Sequence, residues 1–280
     1  MSADGSRTTE TLSTKPSFID VHVHLDKLKT PFEDALTVAK DLGVDQVITI
    51  GTEPADHPVV LALSQKYFPR VACTLGVHPH EASLWNQGVG EWIRAAYQGP
   101  GARGIVAVGE IGLDYYYNNC PREVQLQAFR EQMDLALELG LPVEIHTRDA
   151  DADCAVVLEE YRGRVQGLLH CFTSSMELAK SALDCGFDIS ISGVVTFKNA
   201  EQLREIVRFI PVDRIHVETD APFLAPVPMR GRSNLPEFVL HTAAAVADLK
   251  GLSLIDLSLA TKANAYRLFP RLRPDSHSAN

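Results

Sequence analysis

Residues 122–146 read REVQLQAFREQMDLALELGLPVEIH. Val124, Phe129, Met133, Leu135, Ala136 and Leu139 recur at helical spacing and form one apolar stripe, so Arg122 to Leu139 is expected to be a helix with one face on a core. Pro142 to His146 follows as a short β-rich run that ends on an imidazole. The same alternation extends both ways. Strands are expected at Phe18 to His24, Asp45 to Gly51, Val71 to His78, Gly104 to Glu110, Gln166 to His170, Phe187 to Ser192 and Arg214 to Asp220. With Pro142 to His146 that makes eight β/α units, and eight such units close a (β/α)8 TIM barrel. Helical stretches at Pro236 to Leu249 and near Ser253 to Phe269 complete the ring. An open doubly wound sheet fits less well, because no GxGxxG follows the first strand.

No Gly/Ser linker or short-period repeat interrupts the pattern. The reading is one domain over residues 17–270, a Ser/Thr/Lys-rich leader at 1–16 that is expected to be disordered, and a C-terminal tail at 271–280. The composition, 45% hydrophobic and 22% charged, is that of a globular enzyme. No apolar run approaches the roughly 18 residues that span a bilayer, and the leader lacks an apolar signal core, so no membrane role is expected. Cys73, Cys120, Cys154, Cys171 and Cys185 are odd in number and contain no CxxC, which argues against a disulfide framework or a thiolate zinc site and points to a reducing cytoplasm. The net charge of −10 is unlike that of proteins that coat long stretches of nucleic acid, so any contact with nucleic acid should be local.

Residues able to bind metal fall at the C-terminal ends of the expected strands, where barrel enzymes carry their chemistry. In His22-Val23-His24 the two imidazoles lie two residues apart on a strand and so share a face. The fourth strand ends in Glu110, the fifth in His146, the sixth in His170 and the eighth in Asp220. Four imidazoles and two carboxylates form a nitrogen and oxygen donor set suited to borderline or hard divalent ions. By the same parity, Glu144, His216 and Glu218 should point inward at greater depth, Glu218 supporting the metal ligands and Glu144 as a buried hydrogen-bonding partner.

The words around these residues are Ile19 to Asp26 (IDVHVHLD), Gly76 to His80 (GVHPH), Gly109 to Tyr115 (GEIGLDY), Pro142 to Ala150 (PVEIHTRDA), His170 to Thr173 (HCFT), Phe197 to Ala200 (FKNA) and Glu218 to Leu224 (ETDAPFL). In this order they resemble the TatD deoxyribonucleases of the amidohydrolase superfamily over essentially the whole domain. The resemblance implies that His22, His24, Glu110 and Asp220 hold one divalent ion and that Glu110, His146 and His170 hold a second, with Glu110 bridging. Mg, Mn or Zn would serve. It further implies phosphodiester hydrolysis in DNA, most simply 3′ to 5′ exonuclease action on single strands or 3′ ends, with Glu110 and Asp220 as catalytic groups and Asp220 as proton acceptor. Two divalent ions against two carboxylates would leave the site locally positive. Ester or amide hydrolysis, such as removal of a D-amino acid from tRNA, is the alternative chemistry for the same ligands.

Outside the ligand set, the resemblance places His78 and His80 near the substrate phosphate and Asp114 near the site. Arg230 and Arg232, after the eighth strand, are expected to supply cations to phosphate, although Leu235 in that loop stands where the family usually has Glu or Gln. Arg148, Lys198 and Asn199 are weaker candidates on the same barrel end. Tyr115, Tyr116 and Tyr117 could stack on a base but are read first as packing. His57, His241 and His277 are read as surface residues, and Cys171 as a small buried one.

Overall fold

The computed structural model describes residues 15–273. Most of the expected leader and the tail from residue 274 lie outside the described residues. All eight expected strands form: β1 (Phe18–Val23), β2 (Val44–Ile50), β3 (Val71–Leu75), β4 (Ile105–Asp114), β5 (Val143–Arg148), β6 (Gly167–Leu169), β7 (Asp188–Ile191) and β8 (Ile215–Val217). They pair in parallel and in sequence order within one eight-stranded sheet. Helices α1 (Phe32–Leu42), α2 (His57–Tyr67), α3 (Gln87–Gln98), α4 (Arg122–Leu139), α5 (Asp151–Glu160), α6 (Met176–Asp184), α7 (Glu201–Phe209), α8 (Val239–Lys250) and α9 (Leu254–Leu268) complete a (β/α)8 barrel. Among the described residues no single helix is long and apolar enough to cross a membrane.

Helix α4 has the expected bounds, and Phe129, Met133, Leu135 and Ala136 bury its inner face, while Val124 and Leu139 at its ends are only partly covered. It stops at Gly140, whose φ of 64° closes the last turn in the left-handed conformation. Packing continues beyond Pro270 to a buried Leu272 in a short 3-10 turn.

The strand ends differ from expectation in ways that matter for the site. Strand β4 runs four residues past Glu110, because its ladder with β5 shifts between Val108 and Ile111 and then resumes through Asp114↔Arg148. Such a bulge re-aims the side chains beside it. Strand β8 ends at Val217, and Asp220 then turns into the left-handed region with φ 57°. The ring closes between β1 and β8 through one isolated bridge, Val23↔Ala221. Its backbone bonds are His24 N–H to Ala221 O at 2.8 Å and Asp220 N–H to His22 O at 3.0 Å. Below them the buried Asp20 carboxylate accepts the Thr219 amide at 2.9 Å and hydroxyl at 2.6 Å.

At the opposite, N-terminal end of the barrel, buried Asp188 accepts from Arg214 Nε at 2.5 Å and Arg267 at 2.6 Å and pairs with His216 Nε2 at 2.8 Å. Burial alone would raise this carboxyl, but His216 and the two guanidiniums hold it below its ordinary value. Its stabilisation is therefore complete above the unfolded value of 3.8 and is lost as acid carries the pH down through the lowered folded value. Asp188→Ala should cost about 2 kcal/mol in urea unfolding at neutral pH, less than a fully buried pair because both arginines reach solvent, and the difference from wild type should shrink in acid.

Candidate metal centre

The site is built where the strands leave the barrel. His22 and His24 leave β1 on one face, His146 lies on β5, and His170 and Asp220 stand just past β6 and β8. Glu110 sits on the bulged stretch of β4, its amide donating to Gly51 O at 2.9 Å. Beside it the backbones crowd: a side chain at Gly112 (φ 130°) would bring Cβ to 2.0 Å from His146 O, so only glycine lets β4 lie against β5 there. Asp220 and Cys171 hold left-handed φ of 57° and 42°, a strain of about 1–3 kcal/mol each that the surrounding hydrogen bonds must sustain.

Glu110, 3% exposed, is the centre of the cluster. Its Oε1 lies 2.8 Å from His170 Nε2, 3.1 Å from His146 Nδ1 and 3.4 Å from His78 Nε2, and its Oε2 lies 3.6 Å from His22 Nε2. Asp220 Oδ1 is 3.4 Å from His24 Nε2 and 3.8 Å from His22 Nε2. Three overlapping groups have spacing that could hold a metal ion: His22, His24 and Asp220; His22, Glu110 and His170; His78, Glu110 and His146.

The donors fit cations. His22 Nδ1 is engaged by Glu144 at 2.9 Å, which leaves its buried Nε2 without a hydrogen-bond partner and aimed at two carboxylates. A buried ring nitrogen left open in this way matches a metal ligand whose other nitrogen is held by a carboxylate. His170 and His146 also have a carboxylate on either side, His170 with Nδ1 3.4 Å from Glu218 and His146 with Nε2 3.2 Å from Asp114, while their other nitrogens face Glu110. Without an ion the charge must be balanced by protons. Burial works against a charged His170, as does neighbouring His22, yet Glu110 and Glu218 raise it to about 10. Burial would raise Glu110 too, but His170, His78 and His146 hold it well below the carboxylate range. His78 is the exception: burial outweighs Glu110 and lowers it to about 4, so it is neutral.

The cluster opens into a cavity of about 1120 Å³. Glu53, Glu81, Asp149 and Asp151 line it with Glu110 and Asp220, against only Lys27 and Arg148 as fixed cations. The lining is thus more acidic than the expected count of two carboxylates. A phosphate would be repelled until divalent ions offset that excess.

A model of the family described as TatD related DNase matches residues 19–270. The chain belongs to the TatD family of metal-dependent hydrolases. It is similar to a protein of Escherichia coli (strain K12) named uncharacterized metal-dependent hydrolase YcfH, with 39% identity over 259 residues, covering 90% of this chain and 95% of that one. It is also similar to the 3′-5′ ssDNA/RNA exonuclease TatD of Pantoea vagans (strain C9-1), with 37% identity over 239 residues, 82% of this chain and 90% of the relative. Among solved structures, that of YJJV, a TatD homolog from Escherichia coli K12, superimposes with a TM-score of 0.84 at 30% identity, covering 90% of this chain and 98% of that one.

In this TatD-family barrel His22, His24, Glu110, His146, His170 and Asp220 lie in one cluster, and His78 joins Glu110 and His146 in it. Glu218 sits behind them, accepting the Cys171 amide at 2.7 Å and facing His170. Glu144 is fully buried against His22, and burial raises its carboxyl although His22 opposes this. His78 and His80 line the cavity. The arginine loop departs from expectation: Arg230 folds away to lie 4.0 Å over the Phe197 ring and bond Ala225 O, Arg232 is exposed, and neither lines the cavity. Exposed Lys198 and Asn199 do not line it either. Three other readings change as well. His57 is buried and its Nε2 pairs with Gly76 O at 2.7 Å, Cys171 is only half-buried and lines the cavity, and Tyr116 and Tyr117 project into it. His241 is half-buried, and His277 lies outside the described residues.

Lys27, which lines the cavity, was missed, and Asp114 does more than stand near the site as the resemblance implied. Lys27 follows the first strand by a few residues and bonds Thr52 Oγ1 at 3.0 Å. Asp114 is a junction, its Oδ2 facing His80 Nε2 at 2.9 Å and His146 Nε2 at 3.2 Å while Oδ1 accepts the amides of Tyr116 and Tyr117. Its signal was parity, since Glu110, Gly112 and Asp114 alternate onto one face if β4 continues.

Ligation needs neutral imidazoles, so loading a divalent ion near pH 7.5 should expel protons from His170 and His146, both of which the carboxylates raise. Titration calorimetry in buffers of different ionisation enthalpy should show net proton release, and affinity should fall as pH is lowered. Glu218→Ala, which frees His170, should weaken metal affinity by about 10–100-fold in chelator-buffered binding.

Proposed function

We propose that this chain is a metal-dependent phosphodiesterase that shortens DNA from its 3′ end. The observation that carries the reading is the Glu110 carboxylate ringed by imidazoles at the floor of a cavity large enough for a nucleotide. The relative named a 3′-5′ ssDNA/RNA exonuclease supports the polarity and the polymer.

In this reading His22, His24, Asp220 and Glu110 would hold one divalent ion, and Glu110, His146 and His170 would hold a second. Mg, Mn or Zn suits the donors. Such ions acidify water and neutralise charge that builds on phosphate oxygens. The protein's own groups then complete the step. Asp220 is held below its ordinary value against the rise that burial alone would bring, by His24 and His22, so it is ionised and able to accept the proton of the attacking water. Neutral His78 offers the phosphate a hydrogen bond without adding charge. Lys27 and Arg148 supply the fixed cations that Arg230 and Arg232 do not.

Single-stranded DNA labelled separately at each end should ladder from the 3′ end in Mg²⁺ or Mn²⁺. His146→Ala should lose at least about a hundredfold in rate, since disturbing a group behind a ligand already costs about 10–100-fold. Asp220→Asn that retains its metal should also lose turnover; undiminished turnover removes Asp220 as the proton acceptor. Metal-loaded wild type that cleaves no oligonucleotide transfers the reading to ester or amide bonds, including aminoacyl-tRNA.

A further inference from the structure

We infer that Tyr116, Tyr117 and Arg148 form a stacking wall for the base of the nucleotide being cleaved. The inference rests on the nuclease reading above and adds the feature of the substrate that is recognised.

The tyrosine run divides. Tyr115 packs: its hydroxyl donates to Asp153 at 2.7 Å and the Arg122 guanidinium lies 4.2 Å over its ring. Tyr116 and Tyr117 do the reverse, remaining 59% and 56% exposed and lining the same cavity as Glu110 and His146. Their rings meet edge to face with centroids 5.0 Å apart. Two adjacent phenol rings held out of the core leave apolar area in water, a cost that bound ligand would remove.

Their placement is fixed by the junction that also fixes the cluster. The buried Asp114 accepts the Tyr116 and Tyr117 amides at 3.0 and 2.9 Å through one oxygen, while the other faces His146 and His80. The Tyr117 ring lies 5.2 Å from that of His80. The aromatic pair is therefore held in a set position relative to His146 and His80, as a base subsite beside a scissile bond requires.

Arg148 completes the wall. It shares strand parity with Glu144 and His146, and its guanidinium lies 4.1 Å over the Tyr116 ring and 4.9 Å over the Tyr117 ring. Among the described residues it forms no ion pair, although carboxylates surround the cavity. A planar cation resting on aromatic rings offers a face for a base and donors for phosphate oxygens. The terminal base of a strand has a stacking neighbour on one side only, so its free face can lie on such a surface, and every base offers one.

The test compares two single-stranded oligonucleotides that differ only in whether the 3′-terminal nucleotide carries a base, with wild type, Tyr116→Ala/Tyr117→Ala and the conservative Tyr117→Trp, all metal-loaded. Wild type should favour the base-bearing strand in kcat/KM by about 5–100-fold, the range lost with one base stack. The double variant should lose that preference through KM, and Tyr117→Trp should keep it. In Asp220→Asn protein, 2-aminopurine at the 3′ end should be quenched on binding and should not be quenched when the two tyrosines are also replaced. A double variant that keeps the preference and the quenching, or a wild type that cleaves both strands equally, overturns the wall and leaves the nuclease reading standing. A wild type that cleaves neither strand overturns both.

Discussion

The Glu110 carboxylate is almost completely buried, and His22, His78, His146 and His170 all lie within 3.6 Å of it. A charge in that position is sustained only by compensation, from protons on the imidazoles or from cations between them. The arrangement around it follows from that constraint. Three of the four imidazoles expected as ligands are faced from behind by a further carboxylate: His22 by Glu144, His170 by Glu218 and His146 by Asp114. These bracing groups must also be buried and partnered, which draws in the Cys171 amide and the Tyr116 and Tyr117 amides. Charge at one point thus organises residues from β1, β4, β5, β6 and β8.

The barrel and the six central donors were legible because both obey short-range periodicities. A strand places alternate residues on one face, so HxH on β1 and His146 above Glu144 on β5 follow from counting. What was not legible depends on where a strand ends or a loop turns. Asp114 was missed as a junction because the bulge after Val108 lets β4 continue beyond Glu110. Arg230 has the right chemistry for phosphate, but Phe197 on another loop captures its guanidinium, and nothing near Arg230 in the chain announces that contact. His57 opens a helix, where a histidine is commonly solvated, and it is buried because Gly76 O on the next strand's exit needs a partner. The tyrosine run could be assigned to packing or to the cavity only after Asp114 was known to hold its backbone.

Acidic composition and an acidic cavity lining also belong together. With carboxylates outnumbering Lys27 and Arg148, an anion's entry depends on what the imidazoles and carboxylates have already bound. Substrate access and cofactor loading are coupled by charge, which makes ionic strength and metal concentration joint controls on association.

The seam between β1 and β8 has a different consequence. His22 stands on the first strand, His24 just past its end and Asp220 just beyond the last, and among the described residues a single backbone bridge and the Asp20–Thr219 bonds are the polar links between the two backbones. These ligands are separated by almost the whole length of the barrel chain, so they cannot meet until the last β/α units have docked against the first. A cation bound there would fasten the ring at the point where its own ladder is thinnest. Loading of that position would then be available only to a finished barrel, and a bound cation would act as an inspection of assembly: a chain arrested with its last strand undocked would hold neither the ion nor the chemistry that depends on it.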